Sequence, residues 1–207
     1  MRRYRIIFLL LSSLFLSSCA YHKLATYKPK SVFILTSINL KPLIPENGAI
    51  KYKATVDVLN KHFTGLIVLK QTDEQTKHLV FVTELGMRMF DFEMRGDSMK
   101  PVFVFDPLNK PKLITALIRN FTTISLIEWF NKSVESAVKS EKEVLHLKQN
   151  RHHLFLFENT DKNAAELYVF NKHKKESKTI YSENYENIKL KQYGLVKFYI
   201  ELEKIKE

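Results

Sequence analysis

Few residues of this chain have types and spacings that support chemistry. Cys19 is the only cysteine among 207 residues, which excludes an intramolecular disulfide and a cysteine-cluster zinc or iron–sulfur site. Three histidines fall close together in the sequence, at His146, His152 and His153. The last two are adjacent, so on a β-strand their rings point to opposite faces, and no acid stands at ligand spacing. We therefore expect no metal and no cofactor.

Catalytic motifs are missing as well. The sequence has no G-x-S-x-G elbow, no H-E-x-x-H pair and no phosphate-binding loop. Asp91 and Glu93 share one face of a predicted strand, where charge beside a turn serves solvation more often than carboxylate catalysis. We expect no catalytic residues, and the chain is interpreted as a protein that is not an enzyme.

Residues 1–18 have the organisation of an export signal. Three arginines and no acid lie in the first five residues, and a mostly apolar stretch follows from Ile6 to Leu16. This stretch is shorter than the roughly 20 residues that a membrane-spanning helix needs. The pattern is typical of a secretory signal peptide. Its removal lowers the formal net charge from +11 by three, to +8.

The sequence Leu16-Ser17-Ser18-Cys19 resembles the lipobox of bacterial lipoproteins. The resemblance implies that Cys19 is acylated through its sulfur with palmitate-type chains, becomes the mature N-terminus and anchors the protein in a membrane. The residue after the cysteine is Ala20 and not the aspartate that retains lipoproteins in the inner membrane, which implies the outer membrane. No acidic cluster follows, which favours its periplasmic face. The alternative is an ordinary signal peptide, or a short N-terminal anchor, with an incidental cysteine.

The basic charge of the mature chain indicates a membrane surface as partner. An anionic leaflet attracts a protein by about 1 kcal/mol per well-placed basic residue, and nucleic acid is a poor partner for an exported protein. The charged loop of residues 171–178 carries the candidate contacts to phospholipid headgroups, although such a loop is more commonly a solvated hairpin tip. The candidates are Lys172, Lys174, Lys175 and Lys178.

From residue 50 onward, apolar and polar residues alternate in short runs separated by turns. Runs of this kind predict successive antiparallel hairpins. The alternation breaks over about residues 108–138, where Pro111 can begin a helix and a second helical stretch is expected over Leu126 to Val138. We predict one domain over residues 50–207. It follows a lipidated N-terminus, tether and lead-in segment over residues 19–49, which holds a β-prone patch from Val32 to Leu35 and is in part alternatively a short helix.

Two stretches of this pattern are similar to the LolA/LolB lipoprotein-carrier superfamily. They are Phe63 to Phe92, which includes Thr83-Glu84-Leu85-Gly86, and the closing hairpin Ile188 to Leu202. The resemblance implies an α+β fold in which an antiparallel sheet curves into an incomplete half-barrel with helices covering its open side. It also implies a monomer that binds acyl chains or a lipoprotein cargo, and that works with a periplasmic carrier in lipoprotein or lipid localisation.

A lipid cavity needs apolar side chains on one face of the sheet and on the helix that covers it. The candidates are Phe81, Phe90, Phe92, Phe103 and Phe105 on predicted strands and Leu117, Phe121 and Ile124 on the predicted helix. The same residues would equally well fill a closed core. In that case the chain is a non-catalytic accessory or structural lipoprotein that docks to an envelope complex.

Overall fold

The computed structural model describes residues 28–34, 43, 48–96, 98–125, 133–139, 142–149, 151–159, 164–182, 185–194 and 196–206. These residues form thirteen β-strands and one α-helix. The strands are β1 (Lys28–Ile34), β2 (Ala49–Val58), β3 (Lys61–Gln71), β4 (Thr76–Thr83), β5 (Arg88–Arg95), β6 (Ser98–Val104), β7 (Ser133–Lys139), β8 (Lys142–Gln149), β9 (His152–Asn159), β10 (Ala164–Asn171), β11 (Lys174–Tyr181), β12 (Asn187–Gln192) and β13 (Phe198–Lys204). A 3-10 turn, Asp106–Leu108, precedes the helix α1 (Pro111–Ile124).

The described strands form one antiparallel sheet in the order β1-β7-β8-β9-β10-β11-β12-β13-β2-β3-β4-β5-β6. The sheet is curled and unclosed, with β1 and β6 at its edges, and it is much larger than the predicted half-barrel. Neighbouring strands alternate in direction, so the turns that follow β2, β4, β8, β10 and β12 lie at one end. Strand β6 runs towards the same end, where α1 begins. We call this end the mouth.

Two strands lie where the sequence predicted other structure. Residues 133–138 were expected to be helical, but Ser133–Lys139 forms β7, which pairs with β1 on one side and β8 on the other. The preceding residues 126–132 of that expected helix lie outside the described residues. Strand β1 in turn falls within the expected tether and lead-in segment, where only the β-prone patch from Val32 to Leu35 indicated a strand. Both differences have the same cause. Strands β1 and β7 satisfy each other's backbone hydrogen bonds although they lie about 100 residues apart, and a local sequence pattern cannot specify such a partner.

The predicted alternation is confirmed in the central strands. Tyr52, Ala54, Val56 and Val58 of β2 are buried, each at most 3% exposed. One contiguous apolar core joins residues of β2–β6, β8–β13 and α1. Because strands from both halves of the sheet share this core with α1, the helix lies on the concave side of the curled sheet.

Helix α1 forms because its apolar residues recur at helical spacing behind a proline in the first turn. Pro111 needs no intrahelical partner there, and Leu113, Leu117 and Ile124 are each 1% exposed. At the C-terminal end, the Ser125 hydroxyl donates to the Thr122 carbonyl at 2.7 Å. No helix within the described part of the chain is long and apolar enough to cross a membrane.

Candidate functional site

Phenylalanine rings meet where α1 crosses the concave face of β4 and β5. Phe90 stacks on Phe92 with 4.8 Å between ring centroids, and Phe81 lies 5.4 Å from Phe90. Phe121 of α1 contacts both stacked rings, at 5.6 Å and 6.3 Å. All four side chains are at most 2% exposed. Five aromatic candidates lie on the concave side, and four of them, Phe81, Phe90, Phe92 and Phe121, contact one another. We call these four residues the aromatic cluster.

Phe103 lies on the opposite face of the sheet, contrary to the predicted spacing. The register pairs Phe92 with Pro101 but Asp91 with Phe103, so a bulge between them skips one residue of β6. A one-residue slip moves every following side chain to the other face. Phe103 consequently packs under the Arg88 guanidinium, 4.2 Å from the ring centroid.

The remaining cavity candidates complete the packing around the aromatic cluster. Leu117 and Ile124 are buried on the same side of α1, and Phe105, just after β6, is partly buried against the core. Ring contacts at these distances occupy the space that the sequence analysis assigned to an acyl chain. An acyl chain can enter between these residues only if α1 moves away from β4 and β5.

Polar contacts attach α1 to strands on the other side of the concave face. The Asn120 side-chain amide donates to Gln192 Oε1 on β12 at 2.7 Å and to the Ala116 carbonyl at 2.7 Å. The Tyr181 hydroxyl of β11 donates to the Ile124 carbonyl at 3.3 Å, and burial raises the pKa of that phenol. Since these groups are buried, breaking one contact leaves a polar partner without a hydrogen bond inside the protein.

An ion-pair group at the mouth adds a further attachment. Arg119 Nη1 of α1 lies 3.2 Å from Glu176 Oε2, and His152 Nε2 of β9 lies 3.3 Å from the same oxygen. Strand β11 has a bulge here, because Ser177 pairs with Val169 while Lys175 pairs with Phe170. The bulge directs the Glu176 carboxylate towards α1. Burial lowers the pKa of His152, an effect that nearby Glu176 partly opposes.

Two of the four candidate headgroup lysines have partners within the protein. Lys178 Nζ lies 3.0 Å from Glu166 Oε1. Lys175 lies over the rings of Tyr168 and Tyr193, at 5.0 Å and 4.7 Å. The other two, Lys172 in the β10–β11 turn and Lys174, are exposed at the mouth.

A cleft at the mouth was not predicted from the sequence. It has a volume of about 560 Å³ and lies between the first half of α1, the β10–β11 hairpin and the end of β12. Its lining includes Lys112 and Arg119 of α1, Lys174 of β11, Tyr193 and Val196. The only sequence signal was the run of lysines after β10, since residues from three separated segments build the cleft.

The β4–β5 turn presents an exposed apolar residue at the same end. Leu85 is 93% exposed at the tip. The turn is braced because Thr83 N–H donates to the Met87 carbonyl at 2.9 Å and Met87 N–H to the Thr83 hydroxyl at 3.1 Å. Gly86 has a φ of +80°, which a glycine adopts without strain. The mouth therefore carries an apolar tip as well as lysines.

The histidines separate as their adjacency predicted. His153 stacks on His146, with 5.3 Å between centroids and 3.1 Å between Nδ1 and Nε2, whereas His152 contacts Glu176 on the other face. Within the described ranges, no group of three or more His, Cys, Asp or Glu side chains is placed to share a metal ion. The stacked pair is a packing contact on the outer face of β8 and β9.

No protein-family model matches the sequence, and a comparison with curated proteins finds no match.

Proposed function

We propose that the chain is a lipid-anchored outer-membrane lipoprotein that binds acyl chains in the apolar interior of its curled sheet. It is not an enzyme, and it serves lipoprotein or lipid localisation on the periplasmic face. Cys19 carries the anchor and lies outside the described residues, as does the signal peptide of residues 1–18. A lipoprotein cargo and a periplasmic carrier are the partners that this function requires.

The observation that carries the proposal is the packing of helix α1 over an aromatic concave face. Phe90, Phe92 and Phe121 contact one another through their rings. An acyl chain that replaced the Phe121 contact would bury methylene groups against the same rings, which contributes about 25 cal/mol per Å² of apolar area. Binding in this mode requires α1 to separate from β4 and β5.

The residues exposed at the mouth support the proposed contact with a membrane. Exposed Lys172 and Lys174 lie at the same end of the sheet as the apolar tip Leu85. Lysines attract anionic headgroups, while a leucine on a braced turn can enter the headgroup boundary. The mouth is therefore the end through which we expect lipid to pass.

Native mass spectrometry of the Cys19→Ala chain with added palmitate tests the proposal. We expect a one-to-one palmitate adduct and, on binding, faster amide exchange in α1 than in β2 and β3. The acceleration is expected because α1 must leave the aromatic cluster, whereas the central strands stay paired. A clean apo mass, without uptake of a fluorescent fatty acid, contradicts the proposal.

A second candidate function follows from the closed packing of the same residues. The aromatic cluster, Leu117 and Ile124 are all at most 2% exposed, as expected for a filled core. A filled core suits an accessory or structural lipoprotein that docks to an envelope complex. The mass spectrum described above separates the two, because this candidate requires a chain that stays free of palmitate.

A further inference from the structure

The cleft at the mouth has the size of a small-molecule site. Its volume is about 560 Å³, within the range of roughly 300–1,000 Å³ that is typical of ligand sites. Helix α1 forms one wall, and the β10–β11 hairpin and the residues after β12 form the others. Polar side chains such as Thr115 share the lining with apolar Ala116 and Val196. A bound molecule would therefore meet both polar and apolar groups.

The charge of the lining is strongly one-sided. Four cationic residues line it, Lys112, Arg119, Lys174 and Lys175, against the single acid Glu176. That acid is already paired with Arg119. Among the described residues, Lys112 and Lys174 have no ion-pair partner, and both are exposed at the cleft. Like charges that converge on a concave site raise the local potential and attract an anion.

We infer that this cleft binds the anionic headgroup of a phosphate-bearing ligand. Lysines of two different elements, Lys112 of α1 and Lys174 of β11, line it. A phosphate group carries about −1.5 to −2 charges as a monoester and accepts hydrogen bonds from several directions, which suits converging lysines. Ala116 and Val196 supply apolar surface for the first carbons of an attached chain.

Lysine contacts to a phosphate group would bind either a phospholipid headgroup or a free phosphate ion. The inference extends the proposed function but does not depend on it, because an anion in the cleft does not require an acyl chain among the core phenylalanines. The cleft lies beside the ion pair that joins α1 to β11, so a headgroup bound there would lie against the first half of α1.

Titration calorimetry on the full chain in an uncharged amphipol tests the inference. The probes are inorganic phosphate, dihexanoyl phosphatidic acid and dihexanoylglycerol, which lacks the phosphate. We expect the phosphatidic acid to bind, and Lys112→Glu and Lys174→Glu each to weaken its binding by about tenfold, since each removes a charge-assisted hydrogen bond. Circular dichroism of each variant checks the fold.

Lys70→Glu is the matched control. Lys70 is exposed on β3 at the end of the sheet opposite the mouth, so the same charge reversal should change affinity less than about twofold. Equal binding of inorganic phosphate would assign the site to free phosphate, and binding of the phosphatidic acid alone would assign it to a lipid headgroup. Either result supports an anion site.

Two results overturn the inference. One is equal affinity of the Lys112, Lys174 and Lys70 variants for the phosphatidic acid. The other is the absence of binding by either phosphate probe. If dihexanoylglycerol or palmitate binds in those cases, the proposed acyl-chain function stands without the anion site. If phosphate binds while palmitate does not, the anion site stands and the acyl-chain function fails.

Discussion

Arg119 and Glu176 join the helix to the sheet at the mouth, with 3.2 Å between Nη1 and Oε2. Their side chains are 31% and 18% exposed, so water screens the pair only in part. The carboxylate reaches the helix because β11 bulges at this residue. Separating α1 from β11 and β12 must break this pair, the Asn120–Gln192 hydrogen bond and the hydrogen bond from the Tyr181 hydroxyl to the Ile124 carbonyl.

Replacing Glu176 with Gln should lower the free energy of unfolding by about 1–2 kcal/mol. The change removes the charge that pairs with Arg119, at a site where the guanidinium and the neighbouring His152 ring are partly buried. Urea unfolding measures the loss, and a double-mutant cycle with Arg119→Ala isolates the pair. The control is Glu186→Gln, whose partner Lys206 lies at a similar 3.2 Å but is 80% exposed. Its cost should stay under about 1 kcal/mol, and equal losses would contradict this assignment.

Truncating Phe121 to Ala should cost about 3–5 kcal/mol, because the ring is 2% exposed and packs on Phe90 and Phe92. Phe103→Ala is the matched control, since that ring lies on the outer face under Arg88 and should cost clearly less. Thermal and urea unfolding report both values. Similar costs for the two variants would show that the aromatic cluster is not packed as a core.

Adding a methyl group at Gly65 should destabilise the sheet by roughly 2–3 kcal/mol. A Cβ atom there would lie 2.0 Å from the Val82 carbonyl oxygen and 2.7 Å from Thr83 Cα, both backbone atoms of β4. Gly48→Ala is the comparison, because no atom lies within 4 Å of its added Cβ and only its φ of +84° opposes the change. If Gly65→Ala unfolds at the same urea concentration as the parent chain, β3 and β4 are not this close.

Acid should weaken the fold below about pH 6.5. Burial lowers the pKa of His152 and His153 from the ordinary 6.5, so below that pH the unfolded chain binds more protons than the folded chain. The free energy of unfolding should therefore fall as the pH is lowered through this window. Glu93, whose pKa is lowered from 4.5 chiefly by a hydrogen bond from Lys100, loses its contribution only at more acidic pH.

Urea titrations at pH 7.5 and 5.5 measure this dependence. His152→Gln should show a smaller difference between the two pH values than the parent chain, because its side chain takes up no proton in this range. If His152→Gln loses as much unfolding free energy between pH 7.5 and 5.5 as the parent chain does, the pH dependence arises from other groups.

Replacing Cys19 with Ala should abolish labelling by a palmitate analogue in growing cells, because the chain then has no thiol to acylate. Ser18→Ala is the control, since it keeps the thiol and a small residue before it. Labelled protein is detected on a gel and followed into the membrane fraction. Labelling that persists in the alanine variant would exclude the lipobox.

Much of the sheet could be predicted from local sequence, because the alternation of apolar and polar side chains along a strand depends only on neighbouring residues. Tyr52, Ala54, Val56 and Val58 stand at alternate positions of β2 and are all buried. The helix over Pro111–Ile124 could also be predicted, since the proline in the first turn and the apolar spacing are local features of the sequence. The end of the expected helical region was wrong because β7 depends on β1, about 100 residues away.

The sequence by itself determined the alternating strands, the amphipathic helix and the single cysteine with its lipobox-like surroundings. Only the tertiary structure decided which faces meet. A bulge in β6 moved Phe103 to the outer face, and a bulge in β11 turned Glu176 towards Arg119. The mouth cleft likewise exists only after three separated segments come together. The physical reason is that bulges and strand partners follow from long-range backbone hydrogen bonding, which no local pattern of side chains encodes.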